Sequence, residues 1–371
     1  MKKKMALAIV LSLILCGCSQ SQNNDTSKAE ISVQSEVSEV SKEQSKEESK
    51  LPEPESRDVF AMDTYMVLKA YGSNAKKALE ESEKEIQRLE SLFSVKVPDS
   101  DISKINANSG NPVTVNASTR TAIAKAIETG NMTDGALDIT VYPIVREWGF
   151  TTGDSENEPS YKIPEQWLID WHLGNVGYDR IIINESIVTV PTGMEIDLGS
   201  VAKGYATDAV LQIFDENKID SALINLGGNV YALGRKPDKS KWKVGIQNPK
   251  DTKKMICSLA IENKAVITSG NYERYFEVDG KRYCHIINPK TGYPADNGII
   301  SATVIGDSGL DCDALSTALF VMGTEKAIDF CKAHKEIDAV LVTDDMKIYV
   351  TDCLESIITM EDDLKYEVIK R

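Results

Sequence analysis

Histidine, paired cysteine and positive charge are all in short supply, and each shortage removes a class of chemistry. The 371-residue chain has only three histidines, His172, His285 and His334, so a side chain that exchanges protons near neutral pH comes from a very short list. Of its seven cysteines none stands in a Cys-x-x-Cys spacing, and those beyond the first eighteen residues, Cys257, Cys284, Cys312, Cys331 and Cys353, are odd in number. Neither a zinc site nor a full disulfide framework is indicated; one pair is possible, and the spacing does not say which. Acids outnumber bases, giving a formal net charge of −15. That balance argues against nucleic acid as a partner, and it implies that a phosphate-rich ligand arrives with a cation. There is no internal repeat, and the apolar run Ala6 to Leu15 is too short to span a bilayer.

That run belongs to a segment, residues 1–18, that reads as a lipoprotein signal. Lys2, Lys3 and Lys4 precede it and Leu15-Cys16-Gly17-Cys18 closes it. The small residue needed before the cleavage point is Gly17, so Cys18, rather than Cys16 after the bulky Leu15, is the expected lipid acceptor. Residues 19–57 are rich in Ser, Glu, Lys and Gln and nearly free of aromatics. Such a segment cannot bury enough apolar surface to offset its ordering entropy and reads as a solvated tether. The expectation is a folded body, residues 58–371, held by lipid at the extracytoplasmic face of a cell membrane.

Within the body, helix and strand patterns alternate. Asp63 to Ala70 reads as a strand, and Ala75 to Leu92 as an amphipathic helix with Ala78, Leu79, Ile86, Leu89 and Leu92 near a 3.6-residue period. A second helix is expected over Ser118 to Thr129 and a polar surface loop from Gly149 to Ser160. Strands are expected over Arg180 to Val190, Ser221 to Asn225, Trp242 to Ile246, Met255 to Ile261, Ala265 to Thr268, Arg274 to Val278 and Ile299 to Ile305. Helices from Cys312 to Met322 and Glu325 to Ala333, then strands Ala339 to Val342 and Ile348 to Val350, close the chain. Strand runs follow one another without helices between them, which fits α+β better than a doubly wound α/β sheet.

Six segments carry chemistry. GALD spans Gly135 to Asp138, and DLGSVAKGYATD, residues 197–208, interleaves Asp197, Ser200 and Lys203 with Gly199 and Gly204. The latter sits where the extended Met194 to Leu198 gives way to a helical pattern, Ala206 to Phe214, a junction that offers backbone N–H groups to an anion or merely turns the chain. INLGGN, Ile224 to Asn229, allows close backbone approach to a ligand, or a glycine bulge. TSGNYER, Thr268 to Arg274, is a hydroxyl-rich turn, and HIINPKTGYP, His285 to Pro294, contains the one histidine well placed to accept a proton. His172 and His334 read as surface or capping residues. In DCDALSTALF, Asp311 to Phe320, a helix begun by Asp313 places Ser316 and Thr317 three and four residues on. That set reads either as a helix cap or as a hard-cation site, whose all-oxygen donors favour magnesium or calcium over zinc.

This ordered set of motifs, from about Met62 to about Met322, resembles the ApbE family, the FAD:protein FMN transferases. The resemblance implies an α+β fold of T-fold-like architecture, with mixed sheets, flanking helices and an FAD cleft. It implies Mg2+-dependent transfer of FMN from FAD to a Thr or Ser hydroxyl of an acceptor flavoprotein, releasing AMP. It further implies that Asp313, Thr317 and Ser316 hold magnesium, helped by Ser200 or the Ala136 carbonyl, and that His285 is the general base. Met62, Ala136, Leu137, Asp138, Asp197, Lys203 and Thr268, with His285, are implied to line the FAD cleft. Four positions depart from the family pattern: Asp63 for Gly, Asn288 for Asp, Leu137 for Phe, and Lys96 for an aromatic. An FAD pyrophosphatase giving FMN and AMP, and a non-catalytic flavin-binding lipoprotein, stay open beside the transferase. The family's acceptor signature, Asp-x-x-Ser/Thr-Gly/Ala-Ala-Thr, is absent from this chain, so the implied acceptor is another, extracytoplasmic, protein.

Overall fold

The computed structural model describes residues 52–151, 161–361 and 364–371. The first hairpin is β1 (Glu55–Ala61) and β2 (Thr64–Ala70). Its turn residues, Met62 and Asp63, both take left-handed backbone, φ 51° and 58°, as tight two-residue hairpin turns demand. Helices α1 (Ala75–Phe93) and α2 (Asp101–Ala107), strand β3 (Val113–Thr114) and helix α3 (Ala117–Met132) follow. Next come α4 (Tyr142–Glu147), α5 (Gln166–Leu173), and the short strands β4 (Ile182–Asn184) and β5 (Ile187–Thr189), with β5 also pairing β3. Helix α6 (Ala202–Glu216) leads into β6 (Ala222–Leu226), β7 (Asn229–Leu233), β8 (Trp242–Asn248), β9 (Asp251–Ile261), β10 (Lys264–Gly270), β11 (Tyr275–Val278), β12 (Lys281–Cys284) and β13 (Ile299–Gly306). Helices α7 (Gly309–Met322) and α8 (Thr324–Ala333) precede β14 (Asp338–Thr343), β15 (Ile348–Thr351), β16 (Ile358–Met360) and β17 (Glu367–Ile369).

Nine strands form the main sheet, in the order β1-β2-β6-β7-β10-β13-β14-β15-β17. Its pairings are antiparallel except β15 with β17. Both faces are covered. On β14, Ala339 and Leu341 join a core shared with α1, α3, α6 and α7, whereas Val340 and Val342 join a second core with Trp242, Ile246 and Leu259 of the three-stranded sheet β16-β9-β8. Double coverage explains why the central strands read as unbroken apolar runs rather than alternating ones. A third cluster packs Trp148, Phe150, Ile169, Phe276 and Tyr283 beside the β11–β12 hairpin.

The α+β class holds, and the amphipathic α1 buries Ala78, Leu79, Ile86 and Leu89 as its period requires. Several local expectations need correction. Arg180 to Val190 is not one strand but the hairpin β4–β5, reversed at Glu185, which adopts φ 52°. Met194 to Leu198, expected to be extended, lies outside the sheets. The helix expected from Cys312 begins at Gly309, with Ser308 Oγ capping it by accepting the Asp311 N–H at 3.1 Å; Asp313 therefore lies in the helix body and is not its cap. Glu55, Ser56 and Arg57, read as the end of the tether, already pair with β2. The signal, Cys18 and residues 19–51 lie outside the described residues, as do residues 152–160 of the expected polar loop. Among the described residues no helix is long and apolar enough to cross a membrane, and the five cysteines are free thiols, four of them buried and Cys353 exposed.

Two glycines let α6 and α7 cross at close range. A Cβ on Gly204 would stand 2.4 Å from the Gly309 carbonyl oxygen and 2.6 Å from the Asp313 Cβ, and one on Gly309 would meet the Gly204 oxygen at 2.8 Å. Asp208, the last residue of the 197–208 motif, fastens the same crossing. Its carboxylate accepts the Ser308 hydroxyl at 2.8 Å and the Gly309 and Leu310 N–H groups at 2.6 and 3.1 Å. Gly204→Ala is expected to force the helices apart and to cost about 1–3 kcal/mol by overpacking, read as a lower urea midpoint at unchanged m-value; an unchanged midpoint would show that the close approach is dispensable.

Candidate active site

A cleft of about 420 Å³ opens between the α6–α7 pair, the hairpin turn at Met62 and the β11–β12 side of the molecule. Its walls include Met62, Ala136, Leu137, Asp138, Asp197, Ser200, Lys203, Thr268, His285, Asp313 and Thr317. Every residue expected to line the FAD cleft or hold the metal therefore reaches one cleft, with the exception of Ser316. That residue is fully buried; its hydroxyl donates to the Asp313 main-chain carbonyl at 2.9 Å and meets Ser269 Oγ at 2.9 Å. Hydroxyls inside helices commonly bond back to the preceding turn in this way, and this one is not in the cleft wall.

The corner at α7 is built from oxygen. Asp313 is 4% exposed, and its Oδ2 accepts the Gly204 N–H at 2.8 Å. One turn on, Thr317 Oγ1 lies 3.1 Å from Ser269 Oγ. The carbonyl-bearing Ala136 and the hydroxyl of Ser200 share this cleft. Burial pushes the Asp313 carboxyl upward, and the Lys203 charge offsets that only partly. A buried carboxylate with hard oxygen neighbours and no soft donor suits a small divalent cation, which would supply the missing positive charge. Among the described residues no cluster of three or more His, Cys, Asp or Glu exists, so the donor set is this mixed one.

The opposite corner is built around His285. Its backbone N–H donates to the Arg274 carbonyl at 3.0 Å, and its Nδ1 lies 3.3 Å from the same oxygen. With Nδ1 facing a carbonyl, that nitrogen carries the hydrogen and Nε2 keeps its lone pair. Burial, then the charges of Arg274 and Lys203, push the imidazole down to about 4. His285 is thus neutral at pH 7 and able to accept a proton. Phe150 stands edge-on to it at 6.4 Å.

The remaining walls are held by internal bonds. Asn106 clamps Ile196 from both sides, accepting its N–H at 2.8 Å and donating to its carbonyl at 2.9 Å. Asp197 accepts the Gly199 N–H at 2.7 Å, and burial raises its carboxyl. At the start of α6, Val201 and Ala202 N–H groups donate to the Leu198 carbonyl and Gly204 N–H to Asp313, so these helix-start donors serve the protein rather than an anion. The Asp138 carboxylate accepts the Thr140 N–H and hydroxyl at 2.8 and 2.6 Å and the Tyr178 N–H at 3.0 Å; it braces the wall from which Ala136 and Leu137 face the cleft. Thr268 Oγ1 pairs with Thr303 Oγ1 at 2.8 Å.

Other expectations resolve more plainly. Gly227 and Gly228, at φ 61° and 98°, make the two-residue turn of the β6–β7 hairpin and do not line the cleft. His334 ends α8, but His172 is buried rather than superficial, and burial lowers its pKa. Asn288 accepts the Lys290 N–H at 2.9 Å within its own turn, the service an aspartate would give. Two of the other departures from the family pattern meet: Lys96 Nζ grips Asp63 Oδ1 and Oδ2 at 2.8 and 2.7 Å on the cleft rim. Sequence reasoning did not single out Ser269, Glu273 and Arg274, although all three stand in the quoted TSGNYER segment.

The ApbE family model matches residues 62–341. The chain belongs to the ApbE family. A protein of Klebsiella pneumoniae named FAD:protein FMN transferase is 37% identical over 273 residues, covering 72% of this chain and 82% of its own. An Escherichia coli K12 protein of the same name is 33% identical over 276 residues, covering 72% and 78%. Among solved structures, the ApbE protein of Thermotoga maritima superposes with a TM-score of 0.76 at 32% identity, over 82% of this chain and 99% of that one. The flavin transferase ApbE of Vibrio cholerae gives 0.73 at 27% identity, over 82% and 100%.

The imidazole of His285 carries a stability signature. Its pKa is about 6.5 in the unfolded chain and about 4 in the folded one, so between those values the unfolded state alone binds the proton. Its contribution is nil above pH 6.5 and increasingly destabilising as pH falls toward 4. His285→Gln removes that penalty. The unfolding free energy of the variant minus that of the wild type is therefore expected to grow in the variant's favour from pH 7 to pH 5 in urea titrations, and a pH-independent difference would contradict the depressed pKa of the half-buried imidazole.

Proposed function

We propose that this chain transfers FMN from FAD to a Thr or Ser hydroxyl of a separate acceptor flavoprotein, releasing AMP, in a magnesium-dependent reaction. The observation that carries the reading is the meeting, in one cleft, of a neutral His285 with the Asp313/Thr317 oxygen set and Lys203. Relatives that align over most of the chain bear the name FAD:protein FMN transferase, which supports the same reaction here.

The chemistry asks three things of the residues. The acceptor hydroxyl must lose its proton, and His285 Nε2 takes it, a role worth roughly 10²–10⁴-fold in rate. The oxygen so bared bonds to the FMN phosphorus, and the bond from that phosphorus to the AMP phosphate oxygen breaks. Magnesium, held by Asp313 and Thr317 with the Ser200 hydroxyl or the Ala136 carbonyl, would neutralise the pyrophosphate charge. Lys203 adds a fixed positive charge beside it, and the cleft aligns the two reactants. Met62, Leu137, Asp138, Asp197 and Thr268 form the remaining contact surface for FAD. The acceptor acts in trans and carries the Asp-x-x-Ser/Thr-Gly/Ala-Ala-Thr signature. Lipid at Cys18 and a tether that ends before β1 would place the enzyme at the extracytoplasmic face of the cell membrane.

The test incubates the protein with FAD, magnesium and an acceptor bearing that signature. FMN mass on the acceptor Thr together with AMP is the expected result; free FMN and AMP without labelled acceptor would convert the reading to a pyrophosphatase, and intact FAD to a binding protein. Asp313→Asn is expected to cut AMP release by about a hundredfold or more and to abolish the rise in melting temperature that magnesium gives the wild type. Full activity of that variant in excess chelator would exclude the metal.

A further inference from the structure

Three cations stand in the cleft wall, Lys96, Lys203 and Arg274. Lys96 is held by Asp63. Among the described residues neither Lys203 nor Arg274 has a carboxylate within salt-bridge distance. In a chain of net charge −15, a solvent-exposed guanidinium on a cleft wall without an ion-pair partner is open to an anion from outside.

Arg274 also reaches His285 by two routes. Its carbonyl takes the His285 backbone N–H at 3.0 Å and faces Nδ1 at 3.3 Å. Its side-chain charge acts on the imidazole, on Asp197 and on Glu273. The charges that act on His285 are Arg274, from the loop after β10, and Lys203, from α6; the same cleft wall carries Glu273 from that loop, Asp197 from the loop before α6, Asp313 from α7, Asp138 from the loop after α3, Glu90 from α1, and the Asp63–Lys96 pair.

We propose that Arg274 is a positioning residue for transfer: its carbonyl fixes which nitrogen of His285 stays bare, and its guanidinium donates to a phosphate oxygen of the bound dinucleotide. The proposal rests on the reading of the cleft as an FAD site. One consequence separates it from a purely structural role. When the phosphate neutralises Arg274, the positive charge that opposed protonation of His285 is compensated. The base then gains proton affinity only once substrate is in place, so that substrate binding itself prepares the acceptor of the proton.

The experiment uses the folded protein with FAD in the absence of magnesium, and follows the His285 imidazole by NMR titration, with His285→Ala to assign the signal. Flavin fluorescence gives the FAD affinity of the same samples. In the wild type FAD is expected to raise the pH at which His285 titrates. Arg274→Gln is expected to raise it already in the free protein, to shrink the shift caused by FAD, and to weaken FAD binding about tenfold, as loss of a charged hydrogen bond does. Arg274→Lys should keep most of the affinity and of the shift, which also guards against misfolding of the Gln variant. Wild-type binding of FAD with both quantities unchanged in Arg274→Gln overturns the role of Arg274 while leaving the function intact. Failure of the wild type to bind FAD overturns the reading of the cleft and the proposal with it.

Discussion

The crossing of α6 over α7 at Gly204 and Gly309 is the constraint on which the rest of the site depends. With hydrogen in place of a side chain, the Gly204 N–H comes within 2.8 Å of the Asp313 carboxylate, and the two chemical motifs, far apart in sequence, become adjacent walls. Asp208 tightens the crossing by tying α6 to the first turn of α7. Behind this pair the nine-stranded sheet supplies a stiff floor. β10 brings Thr268 and Ser269 under α7, and the loop that follows carries Arg274 across to His285.

The cleft is divided electrostatically. At one end burial of the Asp313 carboxylate is offset only in part by positive charge; at the other a histidine is kept neutral by burial and by two cations. Lys203 belongs to both ends, because its charge acts on Asp313 and on His285 alike. A phosphate chain with a divalent cation satisfies both ends at once, which neither a neutral ligand nor a bare anion does. The protein's excess of acid makes these two cations the exceptional charges in the cleft rather than members of a basic field.

Much of this was legible in the sequence, for physical reasons that also mark where legibility stopped. Helix α1 showed itself because one face is solvent and the other core. Helix α7 is buried nearly all round, so its apolar residues have no period to read, and its start was placed three residues late. The β4–β5 hairpin read as one strand because its turn, at Glu185, uses neither glycine nor proline. Strand β1 hid among exposed charged residues. At the site, Asp313, Thr317, Lys203 and His285 were visible because their motifs are dense in polar groups. Ser316 stands outside the cleft wall, a placement the sequence does not give because helical spacing does not tell whether a hydroxyl points into a cleft or back to its own helix. Arg274 does not stand out in the sequence because its contact with His285 is made by a carbonyl and a field, both of which exist only once β10 and β12 have brought it there.

The central claim is that metal oxygens and a proton-accepting histidine flank a single phosphate chain. A crystal structure with FAD and manganese, using the anomalous signal of the metal, tests it most directly. The account predicts a metal peak about 2.0–2.3 Å from the Asp313 carboxylate and the Thr317 hydroxyl, the pyrophosphate beside it, and His285 Nε2 on the far side of the FMN phosphorus. A metal bound elsewhere, or a dinucleotide whose phosphates lie outside the cleft, would contradict it.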